Sequence, residues 1–308
     1  MNTETLTRGT VEEKAVEENA VERSSPYGRE NGTVMLSGTG HAIVAAGDTD
    51  QLVYDMDWDG YARKISERKE LDAWAVLREA RESHYRELFR IQSGDRVLDA
   101  GCGHGEYCVY AAESGARVSA FDYSTEMVEY TRATMKDRGL QLDALDSGSV
   151  LDIDYPDNSF DSVICLSVLD HIADRTRGFA ELARVLKPGG HLYIDVPNRY
   201  AYHWRTCFAV MRMFDMYPAG KIHFFTPQEL TRMLRTAGCR PEAHLGLTFC
   251  PPFSGLYTTD LRRLTFLPQW MIKPLDHLYL SIEKTARRYP PTRWMCWHNF
   301  VRAVKVES

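Results

Sequence analysis

RVLDAGCGHGEYCVYAAE, residues 96–113, joins an apolar run to a helix-patterned one through glycines at alternate positions, Gly101, Gly103 and Gly105. Glycine allows backbone conformations closed to other residues and lets a ligand approach the main chain. The dinucleotide-binding fingerprint Gly-x-Gly-x-x-Gly would need glycine at position 106, where Glu106 stands. A carboxylate at the opening of a helix is a poor neighbour for a diphosphate, which seeks bare amides and the positive helix end. No Gly-Lys-Ser/Thr follows, so the loop is not a nucleoside-triphosphate loop either. The acids Asp99 and Glu106 instead suit a ligand bearing positive charge. A second strand-like run ends at Asp122, 17 residues beyond Gly105, where a carboxylate can accept both hydroxyls of a ribose. A nucleoside with a cationic, non-phosphorylated extension fits these charges.

Outward from this stretch, strands and helices alternate. The pattern predicts strands over 95–101, 116–124, 141–150, 191–200, 239–250 and 297–306, and an apolar strand that runs into a loop over 160–172. Helices are predicted over 106–115, 125–139, 174–190 and 226–238, with Gly115, Gly139 and a Pro-Gly-Gly as stops and Thr226-Pro227 as a start. Strands joined by helices of this length imply an α/β fold. Its doubly wound, mostly parallel seven-stranded sheet would bind ligand at the strands' carboxyl ends. Residues 1–50 are polar and acidic and are expected to be a flexible arm. Residues 51–92 show helical spacing and are expected to form a helical lid, and 93–308 the catalytic domain. Two aromatic and basic segments, 199–225 and 251–296, the second a C-terminal insertion, are expected to cover the substrate.

Composition narrows the class. The 308 residues are 44% apolar and 26% charged, the balance of a soluble protein. No run approaches the roughly 18 apolar residues of a membrane span. Seven cysteines without C-x-x-C pairs argue against a disulfide framework or zinc site, and with the polar N-terminus they point to the cytoplasm. Acids outnumber bases 12 to 4 in residues 1–60, whereas bases outnumber acids 16 to 7 in residues 199–308. That asymmetry suits either an anionic ligand or a solvated basic face near the C-terminal third.

The motifs VLDAGCGHG, FDYSTEMVEYTR, YPDNSFDSVICLSVLDHI and ELARVLKPGGHLYI, in this order and spacing, resemble the class I S-adenosylmethionine (SAM)-dependent methyltransferases of small-molecule type. The resemblance implies that Asp99, Gly101, Gly103 and Gly105 surround the methionine part of SAM and that Asp122 holds the ribose. It places Tyr123 and Met127 against the adenine, and Ser149 and Val150 at its edge, where the family usually has Asp-Ala. Leu166 and Ser167 would line the methyl path, and Tyr61 would close over SAM. The product would be S-adenosylhomocysteine.

The acceptor is less legible. Asp170 and His171, just past the fourth strand, are the candidates to take a proton; the alternative is that they cap and pack the turn. Arg199, Tyr200, Trp204, Arg205, Arg212 and Phe225 suit an apolar molecule with an anionic head. One reading is C-methylation of an isoprenoid diphosphate, whose binding would bring Mg²⁺. Another is O- or N-methylation of a natural product, quinone precursor or lipid-linked sugar. A silent SAM-binding protein is a third. Nucleic-acid substrates are disfavoured by the acidic overall charge and the lack of an Asn-Pro-Pro-Tyr-type motif. The oligomeric state stays open, a homo-oligomer included.

Overall fold

The computed structural model describes residues 85–201, 222–248 and 294–307, together with 35–36, 42–43, 59–60, 205–206, 209, 270, 274, 277–278, 281–283 and 285. Most of the expected arm, lid and substrate-covering segments lies outside these residues, as do Tyr61, Trp204 and Arg212. The chain divides into two units. In Met1–Gly47, strands Met35–Leu36 and Ala42–Ile43 pair antiparallel. The unit Asp48–Ser308 carries the main sheet.

That sheet has seven strands: β1 (Arg96–Ala100), β2 (Arg117–Asp122), β3 (Ala144–Ser147), β4 (Phe160–Leu166), β5 (Leu186–Pro197), β6 (Cys239–Leu247) and β7 (His298–Lys305). Their order is β3-β2-β1-β4-β5-β7-β6. The first five run parallel, while β7 lies antiparallel between β5 and β6. Strand order reverses between β1 and β4, which opens a crevice at their carboxyl ends. Because β7 runs backwards, its first residue, His298, pairs with Pro197 at the end of β5. His298 therefore sits at the same edge of the sheet as the crevice.

Both faces of the sheet are covered, so the inner strands are apolar on both sides. Helices α1 (Glu106–Glu113), α2 (Thr125–Asp137), α3 (Arg175–Val185) and α4 (Pro227–Thr236) connect the strands. One buried cluster joins Leu98, Val163, Cys165 and Ile194 to Phe179 and Leu182 of α3 and Leu230 and Leu234 of α4. The other joins Val97, Ile164, Tyr193 and Phe300 to Cys108 and Val109 of α1 and to Tyr85, Leu88 and Phe89. Here the Phe89 ring meets Tyr193 edge-on at 4.6 Å between centroids, and the Tyr85 ring lies 4.9 Å from Phe300. The Arg90 amide donates to the Tyr193 hydroxyl at 2.7 Å, and Arg302 donates to the Leu88 carbonyl at 3.0 Å. These contacts fix residues 85–90 to the sheet. All five described cysteines, Cys102, Cys108, Cys165, Cys239 and Cys296, are buried.

One boundary differs from the sequence pattern. The helix expected over 174–190 ends at Val185, and β5 starts at Leu186. Pro188 lacks an amide hydrogen and forces Lys187 out of the helical region. The residues Lys187 to Gly190 then bulge from the ladder: Leu186 pairs with Phe160, and the next pair is His191 with Ser162. Gly189 takes a positive φ of 77° within this excursion.

Helix α4 shows the opposite outcome, since its sequence start signal is realised in full. The Thr226 hydroxyl accepts the Glu229 amide at 3.1 Å, the Glu229 carboxylate reaches back to the Thr226 amide, and Pro227 fills the first turn. Thr226→Ala is expected to lower stability by about 1 kcal/mol. Urea unfolding should show this as a lower midpoint at unchanged slope.

Candidate active site

The glycine turn is built by backbone hydrogen bonds from one strand to the next. The Gly101 and Cys102 amides both donate to the Phe121 carbonyl, at 2.8 and 3.0 Å. The Gly103 amide then donates to Asp122 Oδ2 at 2.8 Å, and the Ser124 amide donates to Asp122 Oδ1 at 2.9 Å. Thr131 of α2 closes the turn by donating to the Gly103 carbonyl at 2.8 Å. Gly101, Gly103 and Gly105 all have positive φ, 90°, 52° and 78°. At Gly101 a Cβ would also lie 2.3 Å from Val168 Cγ2, whereas at Gly103 it would meet open space. Gly101 is therefore demanded by packing and by conformation, and Gly103 by conformation alone.

Each Asp122 oxygen accepts one amide, which leaves acceptor capacity on both for a pair of sugar hydroxyls. Burial, with the Asp59 carboxylate nearby, raises the Asp122 pKa. Asp59 also accepts from the Ser124 hydroxyl and, at 3.3 Å, from the Glu126 amide. Asp59 thus reaches the start of α2, next to Asp122. Asp99 lies one turn away, 1% exposed, where the Cys108 thiol donates to its Oδ2 at 3.2 Å. Burial is the main cause that pushes its carboxyl up to about 7, and the Asp122 charge adds to it.

The remaining cofactor positions follow α2 and the loop after β3. Tyr123 is 56% exposed, while Met127 is buried beneath it on α2, with its amide on the Ser124 hydroxyl at 3.2 Å. Ser149 Oγ accepts the Leu151 amide at 3.2 Å, and Val150 is buried. Leu166 is buried at the end of β4, and Ser167 follows it with a left-handed φ of 56°, rare for a residue with a Cβ.

Beyond β4 the crevice edge gathers buried polar groups. Asp170, 3% exposed, lies in the short 3-10 turn Leu169–His171. Its Oδ2 is 3.3 Å from His171 Nε2. Its Oδ1 is buried with no hydrogen-bond partner among the described residues. Burial raises the Asp170 pKa, and the neighbouring His171 and His298 partly oppose the rise. The Asp170 carbonyl accepts the His223 amide at 2.9 Å. Asp170 and His171 are thus brought together at the expected place.

Three residues here were not singled out from the sequence. Asp195 of β5 is fully buried. Its Oδ1 is 2.9 Å from His298 Nδ1, its Oδ2 accepts the Tyr85 hydroxyl at 3.0 Å and the Ser167 hydroxyl at 3.4 Å. The only signal in the sequence was an aspartate in the apolar run LYIDVP; a buried charge in a central strand must find partners.

The substrate positions fare differently. Phe225 is 0% exposed and packs in the core with Val196 and Leu230. This corrects the expectation that it contacts substrate: its amide bonds the Pro197 carbonyl at 2.9 Å and turns the ring inward. Arg199 Nε donates to the Phe224 carbonyl at 3.1 Å, and the Arg205 guanidinium lies 5.7 Å from the Phe224 ring centre. The Tyr200 hydroxyl reaches Gln228 at 3.4 Å. Among the described residues no group of three or more His, Cys, Asp or Glu side chains is placed to hold a metal ion.

Fold and site together define an α/β protein with a glycine turn set against an acidic strand end. Residues 98–194 match the family described as Methyltransferase domain. The chain belongs to the class I SAM-dependent methyltransferases. It is 35% identical over 168 residues to the ubiquinone biosynthesis O-methyltransferase of Xanthomonas euvesicatoria pv. vesicatoria (strain 85-10), covering 52% of this chain and 68% of that one. The protein of the same name from Thiobacillus denitrificans (strain ATCC 25259 / T1) is 31% identical over 164 residues, covering 52% and 70%. Among solved structures, a chain of the complex between the Haloferax volcanii Trm112 methyltransferase activator and a methyltransferase superposes with a TM-score of 0.54 at 19% identity, covering 82% of this chain and 99% of that one. A SAM-dependent methyltransferase from Thermotoga maritima gives 0.53 at 18% identity, covering 80% and 99%. These two likenesses are of fold.

The raised carboxyl of Asp99 has a measurable signature. Its folded pKa, about 7, lies above the ordinary 3.8. The stability it contributes is therefore complete below pH 3.8 and is lost as pH rises through about 7. Denaturant midpoints of the wild type and Asp99→Asn, compared from pH 4 to pH 8, should diverge by as much as ~4 kcal/mol, the variant gaining at high pH. Parallel curves would contradict the buried ionisation.

Proposed function

We propose that this methyltransferase acts on a hydroxyl oxygen of a small, largely apolar acceptor, a phenolic quinone precursor being the best fit. The observation that carries the reading is the group just beyond the methyl path: the buried Asp170, Asp195 and His298, with the partly buried His171. A phenol becomes a strong nucleophile only as its proton leaves, so O-methylation needs a proton acceptor beside the donor's methyl group. The relatives named as ubiquinone biosynthesis O-methyltransferases support the same branch. They lend no support to an isoprenoid diphosphate acceptor or to Mg²⁺.

When bound, SAM supplies an electrophilic methyl group on a sulfonium. The chain's part is alignment and proton removal. The glycine turn and Asp122 fix the nucleoside; Leu166 and Ser167 form the wall between donor and acceptor. The acids Asp99, Asp122, Asp170 and Asp195 along one sheet edge favour a cation there. Tyr123 and Met127 would bracket the adenine, with Ser149 and Val150 at its edge, and Tyr61 would cover the donor from the N-terminal side. The seven cysteines without C-x-x-C pairs suit a reducing compartment, and we assign the reaction to the cytoplasm.

The direct test is mass spectrometry of an acceptor panel incubated with isotopically labelled SAM. Mono- and dihydroxy phenols bearing apolar side chains should gain a label on oxygen. A label on the carbon of a prenyl diphosphate, with none on any phenol, would overturn the reading. Asp170→Asn removes a buried charge beside the proton acceptors and should slow turnover about tenfold. Calorimetry should find its affinity for S-adenosylhomocysteine unchanged.

A further inference from the structure

We infer that His298 is the group that takes the acceptor's proton and that Asp195 is its positioning residue; this rests on the O-methylation reading above. Topology makes the first argument. Asp99, Leu166, Asp195 and His298 lie on neighbouring strands at the same edge of the sheet, in the order β1, β4, β5 and β7. Leu166 pairs with Asp195, and the Ser167 amide donates to the Asp195 carbonyl at 2.9 Å. With the nucleoside over β1 and β2 and the methyl path at Leu166 and Ser167, the next strands outward, β5 and β7, underlie the acceptor. His298 stands there.

Tautomer chemistry makes the second. Asp195 receives two hydroxyl donors on Oδ2, from Tyr85 and Ser167, and faces His298 Nδ1 with Oδ1 at 2.9 Å. A carboxylate in this position accepts, so the imidazole proton is held on Nδ1 and the lone pair is left on Nε2. The same arrangement orients the ring and stabilises the imidazolium once it forms. His171 is differently committed, since its Nε2 is the atom turned to Asp170, at 3.3 Å. Asp170 is the second negative group near His298, so the cation is flanked by carboxylates from β5 and from the turn after β4. The buried Oδ1 of Asp170, without a partner among the described residues, is ready to accept from a hydroxyl of the acceptor molecule.

In the transfer, the acceptor oxygen's lone pair forms the new C–O bond to the methyl carbon, and the C–S bond breaks with its electron pair passing to sulfur. The O–H proton moves to His298 Nε2 and from there to solvent. Charge balances: a sulfonium and a neutral histidine become a thioether and an imidazolium. The charged and titratable groups that face the histidine are Asp195 on β5, Asp170 and His171 after β4, and Tyr85 through its bond to Asp195.

Two measurements on the full-length chain test this. Nitrogen NMR of ¹⁵N-histidine-labelled protein, assigned by difference with His298→Gln, should show that His298, once its ring is neutral, carries its proton on Nδ1 and has a bare Nε2; a neutral ring protonated on Nε2 instead would overturn the assignment. Kinetics on a phenol that the wild type methylates supply the second. Glutamine keeps a donor for Asp195 but cannot take a proton, so His298→Gln should lower kcat about 100-fold or more and abolish the fall in rate on the acid side of the pH profile. Its affinity for S-adenosylhomocysteine should stay within about threefold by calorimetry. Activity near the wild-type level, or an unchanged acid limb, would overturn the proposal. If that variant does not fold, Asp195→Asn replaces it: asparagine can donate to Nδ1 and so selects the wrong tautomer, with a large loss in kcat expected and little change in KM. A wild type that methylates no hydroxyl at all would instead overturn the O-methylation reading, and this inference with it.

Discussion

The bond between the Gly103 amide and the Asp122 carboxylate is the constraint on which the cofactor half of the molecule depends. It exists because β1 and β2 run parallel and in register, Ala100 beside Phe121. The chain leaving β1 must then turn over the end of β2. Two amides on the Phe121 carbonyl start the turn, and the carboxylate at the next position catches the third. The acid that we propose holds a sugar thus first holds the loop. A ligand arriving there meets groups already oriented, so less ordering entropy opposes binding.

The same economy of contacts recurs on the acceptor side. Asp195 ties together four segments that are far apart in sequence: the residues before β1, the end of β4, β5 itself and the start of β7. A carboxylate this deeply buried would be costly alone. Three donors satisfy it, and each donor is fixed in return. Ser167 is held in a conformation that a residue with a Cβ rarely adopts, and the bonds to Asp195 from its amide and hydroxyl account for its persistence. In the proposed reaction the donor and acceptor halves would meet at Leu166 and Ser167, beside this strained residue.

Much of this was legible in the sequence, and the boundary of legibility is physical. Local signals were sufficient wherever one residue decides the backbone: the three glycines, the Thr226-Pro227 start, Asp122 at a strand end. Period and apolar runs placed all seven strands of the main sheet. The Pro188 signal was read as the stop of a helix at 190, although proline acts on the residues before it and ends the helix at Val185. Phe225 was assigned by composition to a substrate surface, and a backbone bond to Pro197 turned it inward. The Asp195 network was missed because its partners are 103 and 110 residues away in the chain. No window of sequence contains both members of such a pair. An aspartate within an apolar strand announces that partners exist without saying which.

The placement of β7 has a bearing on how the molecule comes into being. It is the last of the seven strands to be synthesised, yet it occupies an interior slot, with β5 on one side and β6 on the other. Until it arrives, β6 has no neighbour and β5 shows a bare edge, a state prone to wrong pairing. The turn between β1 and β2 draws on strands made early, whereas the histidine at the head of β7 cannot take its position until β7 itself has been made. The two halves of the site proposed above would then be completed one after the other, the proton acceptor last.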